Sequence, residues 1–282
     1  MISVIVDDMM KFNKTVSLLC ACALALLAAV GCSIREDRSD CPCYVALHYG
    51  EFADKDTSAR LQIRQGGRTV REEPLGPEEL SEGSEVQVER AENTFSVITG
   101  DEHLTQRDDS VYARRGHEWG EVWSDTRTVD CGDDLRDVTF TPHKDFCTVT
   151  FLIKGLDPEK DYPYEIRVKA GCNGMRLSDR APLEGDYVAY PRRIPGTNLF
   201  EVRLPRQIDD DQTAELLIPR DDRLYTDDDV VKTFPLGQML LRQGYSWETN
   251  DLEDVTVVVD FAWTLVTVQV NGWGDTPYDW KI

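Results

Sequence analysis

The stretch "CTVTFLI" at 147–153 decides the fold. Cys147, Val149, Phe151 and Ile153 fall on one side of an extended chain, and Thr148 and Thr150 on the other, because side chains alternate with a period of two along a strand. Cys147 therefore reads as a small buried hydrophobe, the usual fate of an unpaired thiol.

The same alternation recurs on both sides of that stretch. Downstream it appears in "YEIRVKA", "LFEVRLP", "AELLIP", "VTVVVDFAW" and "LVTVQVNGW"; upstream it appears in "YVALHY", "RLQIR", "EVQVER" and "TFSVIT". Gly66-Gly67, between "RLQIR" and "RTVRE", is a hairpin signal. Short alternating runs with turn residues every ten or so positions predict antiparallel sandwiches rather than a parallel sheet. One helix is predicted at "FPLGQMLLRQG": Pro235 stands near its start, Leu236, Met239, Leu240 and Gln243 have helical spacing, and Gly244 is a stop. It is expected to lie across one end of the second sandwich.

The chain has 282 residues, too many for one sandwich of about 100 residues and suitable for two. "TPHKDF" at 141–146 is the expected junction, since alternation lapses there and resumes immediately after. The expected organisation is a leader over 1–31, a charged tether over 32–42, an N-terminal sandwich over 43–142 and a C-terminal sandwich over 143–282. No internal repeat is visible in the sequence.

The leader carries Lys11 and Lys14 ahead of an uncharged apolar run from Val16 to Val30, which is the layout of a secretory signal. That run is shorter than the roughly 20 apolar residues a spanning helix needs. Asp7 and Asp8 carry the wrong charge for the start of a signal, so Met10 makes the cleaner initiator. The run ends in Ala29-Val30-Gly31-Cys32, which resembles the bacterial lipobox, with cleavage between Gly31 and Cys32 and acylation of Cys32. Small side chains admit a peptidase, and a thiol accepts the diacylglyceryl group. Each acyl chain contributes about 0.8 kcal/mol per buried methylene, so two or three make a lasting anchor.

The formal net charge is −21. A surface this acidic argues against nucleic acid and against a polybasic membrane patch, which both need a positive field. Beyond the leader and Cys32, five cysteines remain, Cys41, Cys43, Cys131, Cys147 and Cys172; their spacings give neither a disulfide framework nor a metal motif.

Chemistry-bearing motifs are sparse. His48, His103, His117 and His143 have no second histidine at a ligand spacing. The acidic clusters Asp209-Asp210-Asp211, Asp221-Asp222 and Asp227-Asp228-Asp229 lack the EF-hand pattern and read as solvated loop charge. No nucleophile elbow, H-E-x-x-H or phosphate loop is present. The residues call for no metal and no cofactor, and an enzyme is not expected. Trp119, Trp123, Trp247, Trp263, Trp273 and Trp280 are spread along the chain and read as core packing, with sugar stacking as the alternative.

Taken in order, "GCSIREDRSDCPC", "VYARRG", "HKDFCTVTFLIKGL", "AGCNGMRL", "LEGDY", "FEVRLPRQID", "FPLGQMLLRQGYSW" and "LEDVTVVVDFAW" resemble the fimbrial anchor family, the minor-fimbrium and fimbrillin-A associated anchor lipoproteins of anaerobic Gram-negative bacteria. The similarity runs from Cys32 to about Trp273. It implies an all-β chain of two tandem transthyretin-like antiparallel sandwiches, lipid-anchored through Cys32 to the outer membrane and surface-exposed. The implied partner is a fimbrial shaft subunit, met by strand exchange, in which backbone hydrogen bonds supply strength and alternate side chains fill pockets. The last residues, "YDWKI", put Tyr278, Trp280 and Ile282 on one face and Asp279 and Lys281 on the other. They suit a donor strand or the last edge of the chain's own sheet. A tip adhesin or a glycan-binding surface lipoprotein is the competing expectation, the latter requiring clustered exposed aromatics.

Overall fold

A computed structural model describes residues 41–55, 58–157, 159–220, 224–260 and 265–270. Gly31, Cys32 and the rest of the leader and tether through 40, the Asp221-Asp222 pair, Trp263, Trp273, and the tail with Tyr278, Trp280 and Ile282 lie outside the described residues.

The first half supplies β1 (Cys43–His48), β2 (Ala59–Gln65), β3 (Arg68–Leu75), β4 (Ser84–Val88), β5 (Glu92–Thr99), β6 (Thr105–Arg107), β7 (Ser110–Tyr112), β8 (Trp123–Asp130) and β9 (Leu135–Thr139). The second supplies β10 (His143–Lys144), β11 (Phe146–Lys154), β12 (Glu165–Arg176), β13 (Pro182–Ala189), β14 (Arg192–Arg193), β15 (Leu199–Pro205), β16 (Thr213–Leu217), β17 (Val230–Phe234), β18 (Val255–Asp260) and β19 (Leu265–Val270). The molecule is all-β with short helices, as its alternation predicts.

In the first sandwich one sheet runs β4-β1-β9 and the other β3-β2-β5-β8-β10. In the second, one runs β14-β15-β11-β18-β19 and the other pairs β13 and β16 to β12, with β17 beyond β16. Numbering the principal strands of each sandwich in sequence gives the same order twice: third, second, fifth, sixth in one sheet and fourth, first, seventh in the other. This is the transthyretin-like plan, and it is an internal repeat that the residues do not reveal. Pairing is antiparallel except at one place in each sandwich, where the first strand runs parallel to the seventh: β1 beside β9 and β11 beside β18.

Local chemistry explains the elements. On β11, Cys147, Val149, Phe151 and Ile153 are buried and Thr148 and Thr150 are half-exposed. Gly66 and Gly67 form the two-residue loop between β2 and β3 with φ of 54° and 78°, the left-handed pair that a type I′ hairpin requires. The helix spans Leu236–Arg242 and buries Leu236, Met239 and Leu240 in the second core. Gly237 is needed there, because a Cβ would lie 2.3 Å from the Asp210 carbonyl oxygen. A second short helix, Pro77–Glu82, escapes sequence reading because Leu80 is its only buried residue.

The two cores are not divided at 142 and 143. Cys43 to Val97, with Cys131, Val138 and Phe140, form the first; Ile98, Leu104, Val111, Ala113, Trp119 and Val122 join residues from 146 to 259 in the second. The β6–β7 hairpin pairs with β12 through Val111 and Met175, and β10 pairs with β8 through His143 and Ser124. Strand pairing crosses the junction in both directions.

Candidate functional site

The sheet that carries β2, β5 and β8 is covered on both faces. Leu61, Ile63, Phe95 and Val97 face the first core. Gln62, Arg64, Ser96, Ile98, Ser124 and Thr126 alternate with them and face the second sandwich. The donors of this polar layer are hydrogen-bonded, as burial demands, while Gln62 Oε1 is buried without a partner. Gln62 Nε2 donates to the Asp108 carbonyl at 3.1 Å. Arg64 Nη1 reaches Asp108 Oδ1 at 3.1 Å. Thr126 Oγ1 donates to the Leu177 carbonyl at 2.5 Å and lies 3.0 Å from Ser96 Oγ, with which it shares a hydroxyl–hydroxyl contact.

Asp145, inside the junction motif, is the centre of this seam. Its side chain has 0% exposure, and the guanidinium groups beside it belong to Arg180 and Arg206, 15% and 10% exposed. Arg180 Nη2 donates to Asp145 Oδ1 at 2.7 Å, Arg180 Nε lies 3.2 Å from both carboxylate oxygens, and Arg206 Nη2 is 3.4 Å from Oδ1. Ser124 Oγ, from the first sandwich, donates to Oδ2. The backbone is held as well: Trp119 Nε1 donates to the Asp145 carbonyl at 3.1 Å, and the Asp145 amide donates to the Val122 carbonyl at 2.9 Å.

One carboxylate faces two guanidinium groups, and the surplus positive charge is solvated by carbonyls. Arg180 Nη2 donates to Asn250 O at 2.7 Å, and Arg206 donates to Thr249 O at 2.6 Å, Asn250 O at 3.2 Å and Trp247 O. The two described non-glycine residues with positive φ, Asp108 at 50° and Arg180 at 58°, both stand at this seam. That conformation costs about 1–2 kcal/mol in a residue with a Cβ, and each side chain is ion-paired: Asp108 with Arg64 of β2, and Arg180 with Asp145. The seam fixes one relation between the sandwiches.

Above the arginines lies an open cleft of about 370 Å³, walled by Trp247, Ile208, Glu248 and Asp179. Several of its polar groups are engaged elsewhere. Gln207 receives the Cys172 amide and donates to the Cys172 and Pro205 carbonyls, while Asp179 pairs with Arg176. Among the described residues no group of three or more His, Cys, Asp or Glu side chains could hold a metal ion. The histidines sit apart, His48 facing Asp137 at 3.7 Å and His143 facing Asp251 at 3.5 Å. Asp229 accepts from the Thr226 amide and pairs with Arg220, which holds its carboxyl below the usual value and makes it a turn cap.

Trp119 is buried, and Trp123 and Trp247 are partly buried against the cores. Among the large hydrophobic side chains that are exposed, Tyr44 is the aromatic one, and the aromatic pairs Tyr162–Tyr164 and Tyr190–Tyr225 are partly buried and packed edge-on or tilted against each other.

Two of the sheet edges are protected. β3 presents Arg68, Arg71, Glu72, Glu73 and Pro74, with Val70 bulged out between Thr69 and Arg71; charge, proline and a bulge all block further strand addition. β17, at the edge of its sheet, is guarded in a similar way: Val231 is bulged out between Val230 and Lys232, and exposed Ile218 and Leu224 lie in the chain leading to it from β16.

Sequence reading placed its candidates at Cys32 and at Tyr278, Trp280 and Ile282, outside the described residues. It missed Asp145, Arg180 and Arg206, whose partners lie 35 and 61 positions away in the chain. The clue was an aspartate ahead of an alternating apolar strand.

No protein-family model and no curated protein matches the sequence. Solved structures do share the fold. A Bacteroides thetaiotaomicron protein described as a candidate polysaccharide-binding protein is 13% identical, with a TM-score of 0.59 over 86% of this chain and 98% of that one. A candidate adhesin from Bacteroides ovatus is 12% identical, with a TM-score of 0.57 over 88% and 98%. The fimbrial anchor protein Mfa2 from Porphyromonas gingivalis is 13% identical, with a TM-score of 0.53 over 84% and 100%. None of the three is described as an enzyme.

Proposed function

We propose that the chain is an exported lipoprotein, cleaved after Gly31 and acylated on Cys32, that anchors a fimbrium at the outer membrane or joins it there as a minor subunit. The observation that carries this reading is the pairing of a lipobox-like leader with a tandem sandwich that superposes on the whole of a fimbrial anchor protein. The physical design suits the role. An anchor must transmit load between a lipid and a shaft, and hydrogen bonds from Ser124 and Trp119 to Asp145 tie the first half of the chain to the second. Tyr278, Trp280 and Ile282 serve in this reading as the strand given to a shaft subunit.

The test is Cys32→Ala in the native host, with membrane fractionation and immunogold imaging of fimbriae. Loss of the protein from the membrane together with shedding of fimbriae supports both the lipid site and the anchoring role. Release of the protein while fimbriae stay attached overturns the anchoring role. Normal shaft attachment after removal of residues 277–282 overturns the donor strand.

The second reading, a tip adhesin or glycan-binding lipoprotein, is favoured by the descriptions of the two Bacteroides structures. The partly buried tryptophans weigh against flat sugar stacking. Retention of the protein on a glycan array, abolished by Trp247→Ala in the cleft, would favour it.

A further inference from the structure

Four of the five cysteines beyond Cys32 are buried, and two of them, Cys43 and Cys131, share the first core. Cys43 opens β1, and Cys131 follows the last residue of β8. Both are free thiols with 0% exposure in the first core, and the Cys43 side chain acts on that of Cys131. The backbone around them is fixed. The Tyr44 amide donates to Asp134 O at 2.9 Å, and the Cys131 amide donates to Ala91 O at 3.0 Å. Cys147 and Cys172 lie elsewhere, beside Tyr245 and the Ile208 backbone respectively.

The geometry points to a disulfide between Cys43 and Cys131, formed on export, that staples the first strand of the N-terminal sandwich to the turn joining β8 and β9. The proposal rests on the export reading above, because a cytosolic thiol pool keeps such pairs reduced. The oxidant is a protein disulfide of the exported compartment. One cysteine thiolate attacks a sulfur of that disulfide, giving a mixed disulfide and releasing one oxidant thiolate. The second cysteine thiolate then attacks the first cysteine's sulfur and expels the other. Two electrons and two protons pass to the oxidant, which leaves as a dithiol.

Timing follows from burial. In the folded chain no oxidant reaches a fully enclosed sulfur, and burial pushes the Cys131 thiol up to about 11, so little thiolate exists. The bond must form before β1 docks, when both thiols are exposed and near their ordinary pKa of about 8.5. A chain folded while reduced stays reduced.

The bond also has a mechanical use. Cys32 lies close upstream of Cys43 in sequence, so force arriving through the tether acts first on β1, held by hydrogen bonds to β4 and β9. A covalent link at its first residue carries that force past those bonds into the turn before β9.

The test uses the full chain recovered from cell membranes, acid-quenched, alkylated with N-ethylmaleimide in denaturant and mapped by mass spectrometry. The expected result is a Cys43 peptide linked to a Cys131 peptide, separable by reductant, with Cys147 and Cys172 alkylated. Alkylation of both Cys43 and Cys131 in acylated, membrane-bound protein overturns the proposal. A second measurement does not depend on export: reduced, unfolded full chain is refolded in glutathione and glutathione disulfide. Formation of the same link supports the pairing, and a refolded chain with both thiols alkylatable, or paired otherwise, overturns it. If the chain proves cytosolic and unacylated, the anchoring reading fails while refolding still decides the pairing. Reducing the linked protein should raise its unfolded-to-folded ratio by roughly a hundredfold to a thousandfold, an effect absent from the Cys43→Ser, Cys131→Ser double variant.

Discussion

Replacing Asp145 with alanine removes the one carboxylate that two enclosed guanidinium groups share. Arg180 loses three contacts within 3.2 Å, Arg206 loses one at 3.4 Å, and Ser124 Oγ loses its acceptor. The arginines keep their carbonyl partners at Thr249 and Asn250, but the positive charge at the seam is no longer opposed. Breaking a buried ion pair from one side costs about 3–5 kcal/mol, against a total of roughly 5–15 kcal/mol for a folded domain. The expected loss is therefore about 4 kcal/mol, or about three decades in the unfolding constant. Arg206→Ala should cost less, about 1–2 kcal/mol, because Asp145 keeps Arg180 and Ser124. Urea unfolding followed by tryptophan fluorescence and by far-UV circular dichroism reads both losses, with Trp119 reporting directly through its hydrogen bond to the Asp145 carbonyl. A loss below about 1 kcal/mol for Asp145→Ala, or a larger loss for Arg206→Ala, would refute the assignment of Asp145 as the centre of the seam.

Three further outcomes follow from other sites. Gly67 has φ of 78° with nothing within 4 Å of an added Cβ, so Gly67→Ala should cost about 1 kcal/mol from backbone conformation alone, read as a shift in urea midpoint at constant slope. Burial raises the Glu72 pKa, but hydrogen bonds from Gln106 and Arg60 outweigh it and hold the carboxyl below its ordinary 4.5. A depressed folded pKa stabilises above the unfolded value, and the gain disappears as pH falls through the folded value. Glu72→Gln should therefore lower the urea midpoint at pH 7 and have little effect near pH 3. Burial pushes the Cys147 thiol up to about 12, so it should resist thiol reagents in the native protein and react on unfolding; native labelling of Cys147 would contradict its place in the second core.

The strands, the Gly66-Gly67 hairpin and the helix at Leu236–Arg242 were legible because each is written in local periodicity or turn chemistry. The duplicated sheet order was not. Burial patterning preserves a topology without preserving residue identities, so two sandwiches with the same strand order show no repeat in sequence. The face holding Gln62, Arg64, Ser96, Ser124 and Thr126 carries the polar half of an alternation, and alternation has no mark that separates polar toward water from polar toward another domain. β6 and β7, three residues each, are too short to show a period at all. Asp145 sits where the alternation lapses, and the property that matters there, partners far along the chain, belongs to the tertiary fold. The candidates that sequence did name, at the leader and the tail, are determined by enzymes and partners more than by the packing of this chain.

The placement of the β6–β7 hairpin sets the order in which the molecule can mature. The hairpin is made early, yet its pairing partner β12 begins at Glu165, so a chain emerging from the N-terminus first exposes these strands with an open edge until some sixty residues more have arrived. The outer face of the first sandwich waits for the same segment. Neither half completes itself independently, and the interval before β12 docks is when a holding chaperone matters most. A chain stalled or cut between the halves would present an uncapped polar sheet face and an unmatched edge, the features by which a quality-control protease recognises an unfinished product.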